Sequence, residues 1–129
     1  MWQDFTDYIL NEAGESDVRI VEIGVGKFDR IANSLSEREN ITIIKTDISP
    51  KDATVIRDDI TNPDIDLYKD VDIIYSIRPP SELQPHLVSL AEKIGSQLII
   101  KPLTNEDLKT GRVKMKLKNF KKASFYTLR

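Results

Sequence analysis

The stretch Val18-Arg19-Ile20-Val21-Glu22-Ile23-Gly24-Val25-Gly26-Lys27-Phe28 constrains the fold more than any other part of the chain. Its β-branched residues run up to an acid, and a turn with two glycines follows. Asp29 to Leu35 then reads as a helix with Ile31, Ala32 and Leu35 on one face. Glycine belongs where the backbone takes positive φ or where a ligand approaches closely. A strand feeding a Gly-rich turn into a helix is the entry to a nucleotide-type crevice in a doubly wound α/β sheet. The carboxylate of Glu22, just ahead of Gly24, points to a ligand with an amine or hydroxyls rather than a bare pyrophosphate.

A chain of 129 residues is expected to form one domain, residues 1–129, around a single core. Its 40% hydrophobic content, without low-complexity runs, argues against disorder. No apolar run approaches the ~20 residues of a membrane span. Met1-Trp2-Gln3-Asp4-Phe5 lacks the basic lead and apolar core of a signal peptide. The absence of cysteine removes disulfides and thiolate metal sites and fits a cytoplasmic location. With one histidine, only carboxylates remain for a metal, and their placement forms no cage, so none is expected.

Along the chain, Trp2, Phe5, Tyr8 and Ile9 recur at helical spacing, so residues 2–12 read as an amphipathic helix closed by Gly14. Strands are expected at Val18–Ile23, at Ile41–Thr46 ending in Asp47, and at Thr54–Arg57 ending in Asp58-Asp59-Ile60. A fourth, Val71–Ile77, stops at Arg78-Pro79-Pro80, because proline cannot donate to a ladder. Ser81 to Ile94 reads as a helix with Ser81 as its cap and Gly95 as its stop. Gln97–Lys101, stopped by Pro102, is the fifth strand, and Val113–Lys118 and Ala123–Leu128 are two more joined by a short turn. The expected fold is therefore α/β: a doubly wound, mostly parallel sheet with a C-terminal antiparallel hairpin. Only residues 47–53 link the second and third strands, too few for a covering helix, so that crossover must be a helical turn or a bare loop.

Acids stand at three successive strand tips. Asp47 follows Gly26 by 21 residues, the spacing at which a carboxylate accepts from two vicinal ribose hydroxyls. Asp58 or Asp59 ends the third strand, where it can accept from an adenine amino group, and Ile48 and Ile60 can sandwich the base. Any α/β protein has polar strand ends and tight turns; the ordered trio is what favours a nucleoside ligand. A nicotinamide dinucleotide fits poorly, because its third glycine is replaced by Asp29, whose charge would face a pyrophosphate at a helix N-terminus. A phosphate-binding loop of the nucleotide-hydrolase type is absent as well.

On Val21-Glu22-Ile23-Gly24-Val25-Gly26, Thr46-Asp47-Ile48-Ser49-Pro50 and Asp59-Ile60, the chain resembles the cofactor side of class I S-adenosylmethionine-dependent methyltransferases. As a whole, and most clearly at Ile77-Arg78-Pro79-Pro80-Ser81-Glu82-Leu83-Gln84, it is similar to a small uncharacterised archaeal family with that Rossmann-like fold. The resemblance implies S-adenosylmethionine as cofactor, with Gly24 and Gly26 at its methionine moiety, Asp47 at the ribose and Asp59 at the adenine. It brings no established activity with it. One departure is Phe28, which stands where the methyltransferase turn usually has a third glycine; its ring either partly fills the methionine pocket or roofs it. The short link after Asp47 removes wall from the adenine side.

Substrate is expected at the tip of the fourth strand, where Ser76 and Arg78 are the candidate catalytic residues. Methyl transfer depends mainly on alignment of nucleophile and sulfonium. Arg78 either holds an anionic substrate through its bidentate fork or pairs with an acid such as Glu82. Tyr75 points into the helical layer. His86 reads as a surface helix residue, with general-base catalysis as the alternative. Charge is segregated: residues 109–129 hold eight of the 19 basic groups and no acid, which leaves a balance of −10 in residues 1–108. Arg112, Lys114, Lys116 and Lys118 alternate with Val113, Met115 and Leu117, so one face is expected to be buried and the other lysine-rich. That ladder either protects an exposed edge from aggregation, the default reading, or tracks an RNA backbone. The functional expectation is an adenosine-ligand-binding, methyltransferase-like protein; the alternative is a non-catalytic module contacting RNA or protein through the basic hairpin. A homodimer would supply the pocket walls that so small a chain lacks.

Overall fold

Alternate residues of Val18–Ile23 (β1) enter two different apolar clusters, which makes this strand the centre of a sheet covered on both faces. The computed structural model describes residues 2–102, 108 and 110–129. Val18 and Ile20 face the helices Trp2–Ala13 (α1) and Arg30–Leu35 (α2), with Phe5, Ile9, Ile31 and Leu35. Val21 and Ile23 face the helix Gln84–Ile94 (α3), with Leu87, Leu90 and Leu98. Such two-sided burial is why β1 reads as a continuous β-branched run rather than an alternating one. Phe5 is fully buried, edge-on to Tyr75 at 6.2 Å and to Phe125 at 5.4 Å between ring centroids. Truncating such a residue to alanine typically costs about 3–5 kcal/mol.

The other strands are Ile41–Asp47 (β2), Ile56–Arg57 (β3), Ile73–Ile77 (β4), Gln97–Lys101 (β5), Lys116–Phe120 (β6) and Ala123–Leu128 (β7). The sheet order is β3-β2-β1-β4-β5-β7-β6. The first five strands are parallel; β7 runs antiparallel to β5, and β6 antiparallel to β7. The mixed sheet anticipated from the sequence, mostly parallel with a C-terminal antiparallel hairpin, is the one observed. Strand order reverses between β1 and β4, which opens a crevice at their carboxyl ends.

Several boundaries differ from the sequence expectation, each for a local reason. The third strand shrinks to Ile56–Arg57 because the Thr54 amide donates to the Asp52 carboxylate at 2.8 Å and the Val55 amide to the Asp52 carbonyl at 3.3 Å. The crossover before it is a bare loop. Ser81 does not cap α3: residues Ser81–Leu83 form a 3₁₀ turn, and α3 starts at Gln84 with no side-chain cap. Pro85 in its first turn has no N–H that needs one. A 3₁₀ turn at Ile65–Tyr68, unanticipated, is held by Asp64, whose side chain accepts from the Asp66 amide at 3.2 Å. The sixth strand spans Lys116–Phe120 rather than Val113–Lys118, and Leu117 is 57% exposed instead of buried. As the edge strand, β6 has a neighbour on one side only, so its apolar face is left partly uncovered.

The acidic body and basic tail meet on α1. Glu12 pairs with Arg129 at 2.8 Å and Asp7 with Lys121 at 3.6 Å, while the Asp4 carboxylate accepts from the Lys122 amide at 3.1 Å. Exposed pairs of this kind contribute about 0–1 kcal/mol each. Among the described residues no helix is long and apolar enough to cross a membrane.

Candidate functional site

The crevice between β1 and β4 is a cleft of about 450 Å³, within the size range of small-molecule sites. Gly24, Asp47, Ile48, Asp59, Ile60 and Ser76 all line it, as do Asp58 and Arg78; Ile23, Ile77, Leu83 and Leu87 add apolar wall. Residues from four strand tips and from the segment leading into α3 thus converge.

Its centre is the glycine turn. Gly24 has φ +74 and Gly26 φ +56, a region that costs other residues about 1–2 kcal/mol. The Gly24 amide donates to the Thr46 carbonyl at 2.9 Å, which fastens the turn to β2. A Cβ built on either glycine meets nothing within 4 Å, so conformation, not crowding, demands glycine here.

Asp47 lies beside this turn. One carboxylate oxygen accepts from the Gly26 amide and the other from the Ser49 amide, both at 2.8 Å. A carboxylate has about four lone-pair positions, so two remain for vicinal hydroxyls. Asp58 and Asp59 divide the roles left open by the sequence. Asp58 is engaged at both oxygens, by the buried Tyr68 hydroxyl and by the Asp64 amide at 3.0 Å. Asp59 receives the Thr61 hydroxyl at 2.7 Å and its amide at 2.9 Å on one oxygen, which lowers its pKa. Its second oxygen has no hydrogen-bond partner among the described residues. Ile48, 59% exposed, and Ile60, nearly buried, stand at the rim and the wall of the same cleft.

Glu22 is elsewhere. It does not line the cleft: it faces the α1 and α2 side, 1% exposed, and accepts from the Tyr75 hydroxyl at 2.6 Å. Burial raises its pKa to about 7, against the partial relief of the Tyr75 bond. Ser76 lines the cleft, but its hydroxyl donates to the Ile23 carbonyl at 2.8 Å and thereby stitches β4 to β1. His86 is on α3, half-buried, and lines a shallow hollow beyond Ile60 rather than the main cleft.

Arg78 makes no ion pair with Glu82. It has φ +54, and its amide donates to the Lys101 carbonyl at 2.7 Å. The guanidinium carbon lies 5.8 Å from the ring centroids of both Trp2 and Phe28. Phe28 packs on Trp2, centroids 4.8 Å apart, and lines a smaller hollow of about 280 Å³ beside the glycine turn. Nothing in the local sequence pointed to Trp2, which arrives from the far end of α1. Leu83 and Leu87 fall within the helix expected from Ser81 to Ile94, whereas Tyr68, which holds Asp58, falls in no expected element. Among the described residues no three acidic, histidine or cysteine side chains cluster to hold a metal ion.

Residues 2–129 match the family described as "Uncharacterised protein family (UPF0146)". The chain is 41% identical over 126 residues to a UPF0146 protein of Methanothermobacter thermautotrophicus, covering 98% of this chain and 93% of that relative. A UPF0146 protein of Archaeoglobus fulgidus is 32% identical over 115 residues, covering 86% and 84%. Among solved structures, the fold is similar to an S-adenosyl-L-methionine methyl transferase from Silicibacter pomeroyi, TM-score 0.64 at 11% identity, covering 98% of this chain and 89% of that one. It is also similar to a SAM dependent methyltransferase from Aquifex aeolicus, TM-score 0.58 at 13% identity, covering 95% and 87%. At these identities the likeness is one of fold.

Proposed function

The chain belongs to the uncharacterised protein family UPF0146, and we propose that it binds S-adenosylmethionine, or a related adenosine ligand, in the β1–β4 cleft and presents it to a methyl acceptor. One observation carries this reading: the Asp47 carboxylate, fixed against Gly26 and Ser49, with the free oxygen of Asp59 in the same cleft. Asp47 would receive the ribose hydroxyls and Asp59 the adenine amine, with Ile48 and Ile60 flanking the base. Gly24 and Gly26 would admit the methionine moiety. Three carboxylates around one cleft oppose a polyphosphate and tolerate a cationic ligand.

When bound, S-adenosylmethionine supplies a methyl group on a sulfonium, already activated for transfer. The chain's own part is orientation: Asp47 and the glycine turn set the ligand along the strand tips, and the β4 tip bounds the space where an acceptor would meet it. The Ser76 proton is held by the Ile23 carbonyl, which leaves only its oxygen lone pairs to contact a ligand. Glu22, buried behind the turn, supports the reading indirectly by anchoring β1 to β4 through Tyr75.

Calorimetric titration with S-adenosylhomocysteine, using NAD as control, tests the assignment. Saturable binding of the homocysteine nucleoside alone, abolished in Gly24→Val, is the expected result. No heat from protein shown to be folded would remove it. A second reading, RNA binding through the hairpin, draws on Lys114, Lys116 and Lys118, which make no ion pair with a described residue.

A further inference from the structure

The crevice is charged asymmetrically. Its β2 and β3 side carries Asp47, Asp58 and Asp59, whereas its β4 side carries Arg78. Arg78 is exposed, and its guanidinium makes no hydrogen bond or ion pair with any described residue. It is nevertheless held in place. Trp2 and Phe28 flank the guanidinium at 5.8 Å, and the backbone is fixed in the left-handed region by the Lys101 carbonyl. An arginine packed on aromatic rings with its N–H fork unused has lost conformational freedom without gaining a hydrogen-bond partner. A planar bidentate acceptor supplies one.

A second observation points the same way. Lys101, paired in register with Ile77 at the tip of β5, is only 7% exposed, and its ammonium makes no hydrogen bond or ion pair with any described residue. Burial alone lowers its pKa. A nearly buried lysine normally has a counter-charge. The tip of β5 thus carries a second positive charge next to the β4 tip that bears Arg78.

We infer that the β4 tip of the crevice is a carboxylate-binding subsite, anchored by Arg78 between Trp2 and Phe28. The subsite deepens the cofactor reading and rests on it only for what carries the carboxylate: the methyl acceptor, or the aminoacyl tail of the cofactor. Arg78 spans both hollows, the main cleft and the one beside Gly26, so either source reaches it. Under the first alternative the acceptor is an organic acid.

The test is an acetate titration followed by nuclear magnetic resonance of the Arg78 Nε–H and Trp2 indole signals, with chloride at matched ionic strength as control. Saturable shifts with acetate, absent with chloride and lost in Arg78→Gln that unfolds at the wild-type temperature, are expected. Shifts equal in acetate and chloride, or confined to Lys114–Lys118, overturn the subsite. Calorimetry then compares S-adenosylhomocysteine with 5′-methylthioadenosine, which lacks the aminoacyl tail. If the cofactor carries the carboxylate, R78Q weakens the first about tenfold or more and spares the second, as loss of a charge-assisted pair requires. If the acceptor carries it, the affinity ratio of the two nucleosides is the same in both proteins, and the acetate shifts survive saturation with S-adenosylhomocysteine. Acetate binding without nucleoside binding would keep the subsite and remove the cofactor reading. Nucleoside binding without acetate binding would do the reverse.

Discussion

The Asp47 carboxylate reaches back to accept a 2.8 Å hydrogen bond from the Gly26 amide, so the tip of β2 holds the shape of the turn that leaves β1. One side chain thus serves the scaffold and faces the cleft. Asp47→Ala is expected to lower nucleoside affinity more than tenfold and to cost about 1–2 kcal/mol of stability through the lost charge-assisted bonds. Calorimetry and urea unfolding on the same preparation measure both. An unchanged affinity would remove Asp47 from the ribose.

Gly24→Ala separates conformational cost from ligand contact. Its φ of +74 and its open surroundings match those of Gly14, at φ +67, which stands outside the cleft. Both alanine variants should lose about 1–2 kcal/mol from left-handed strain. Only Gly24→Ala should weaken S-adenosylhomocysteine. Equal binding by the two variants would argue that nothing approaches Gly24.

Glu22 gives a pH signature. Its folded pKa of about 7 lies above the ordinary 4.5, so between those values the native state holds more protons than the unfolded chain. Stability therefore falls as pH rises from about 4.5 to about 7 and is flat with respect to Glu22 above that. At ~1.4 kcal/mol per pKa unit the window is worth about 3–4 kcal/mol. Glu22→Gln should abolish this slope and leave the other contributions in place. Denaturation midpoints at pH 5, 6, 7 and 8 for both proteins supply the difference; parallel profiles would show that Glu22 titrates normally.

Arg78→Gly tests whether Arg78 is kept for the fold. Relief of its left-handed backbone should gain about 1 kcal/mol, and loss of the contacts to Trp2 and Phe28 should cost a similar amount. The expected net change in thermal unfolding is within about 0.5 kcal/mol, with acetate binding lost. A loss well above this would assign Arg78 to stability.

Lys116 and Lys118 lie on the exposed edge strand. Replacing both with threonine should promote association, visible by light scattering, because edge lysines block strand addition. Nucleoside affinity should not change. Mobility-shift assays with short RNA should show no complex; a shift that weakens steeply with added salt would instead support the RNA reading.

What the sequence determined by itself is the order of the elements and which side chains stand at the strand tips. The β-branched run of β1, the strand-ending prolines at 79 and 102, and the glycines at 24 and 26 act through local sterics, which need no partner. The acids at 47, 58 and 59 were legible for the same reason, since a strand tip is a local address. Boundaries failed where side chains compete for the backbone: Asp52 takes the Thr54 amide from β3, and the prolines around Ser81 turn the start of α3 into 3₁₀ geometry. Exposure of Leu117 was not legible either, because period-two alternation gives a side chain's face but not whether anything covers it.

Only the tertiary structure decided how those groups are used. It turned Glu22 away from the cleft toward Tyr75, gave Asp58 to Tyr68 and left one Asp59 oxygen without a hydrogen-bond partner among the described residues. It also brought Trp2 against Phe28 and Arg78, three residues distant in sequence. Side-chain type and spacing fix what a residue can donate or accept. Which partner it meets depends on packing between distant segments, and no local pattern encodes that.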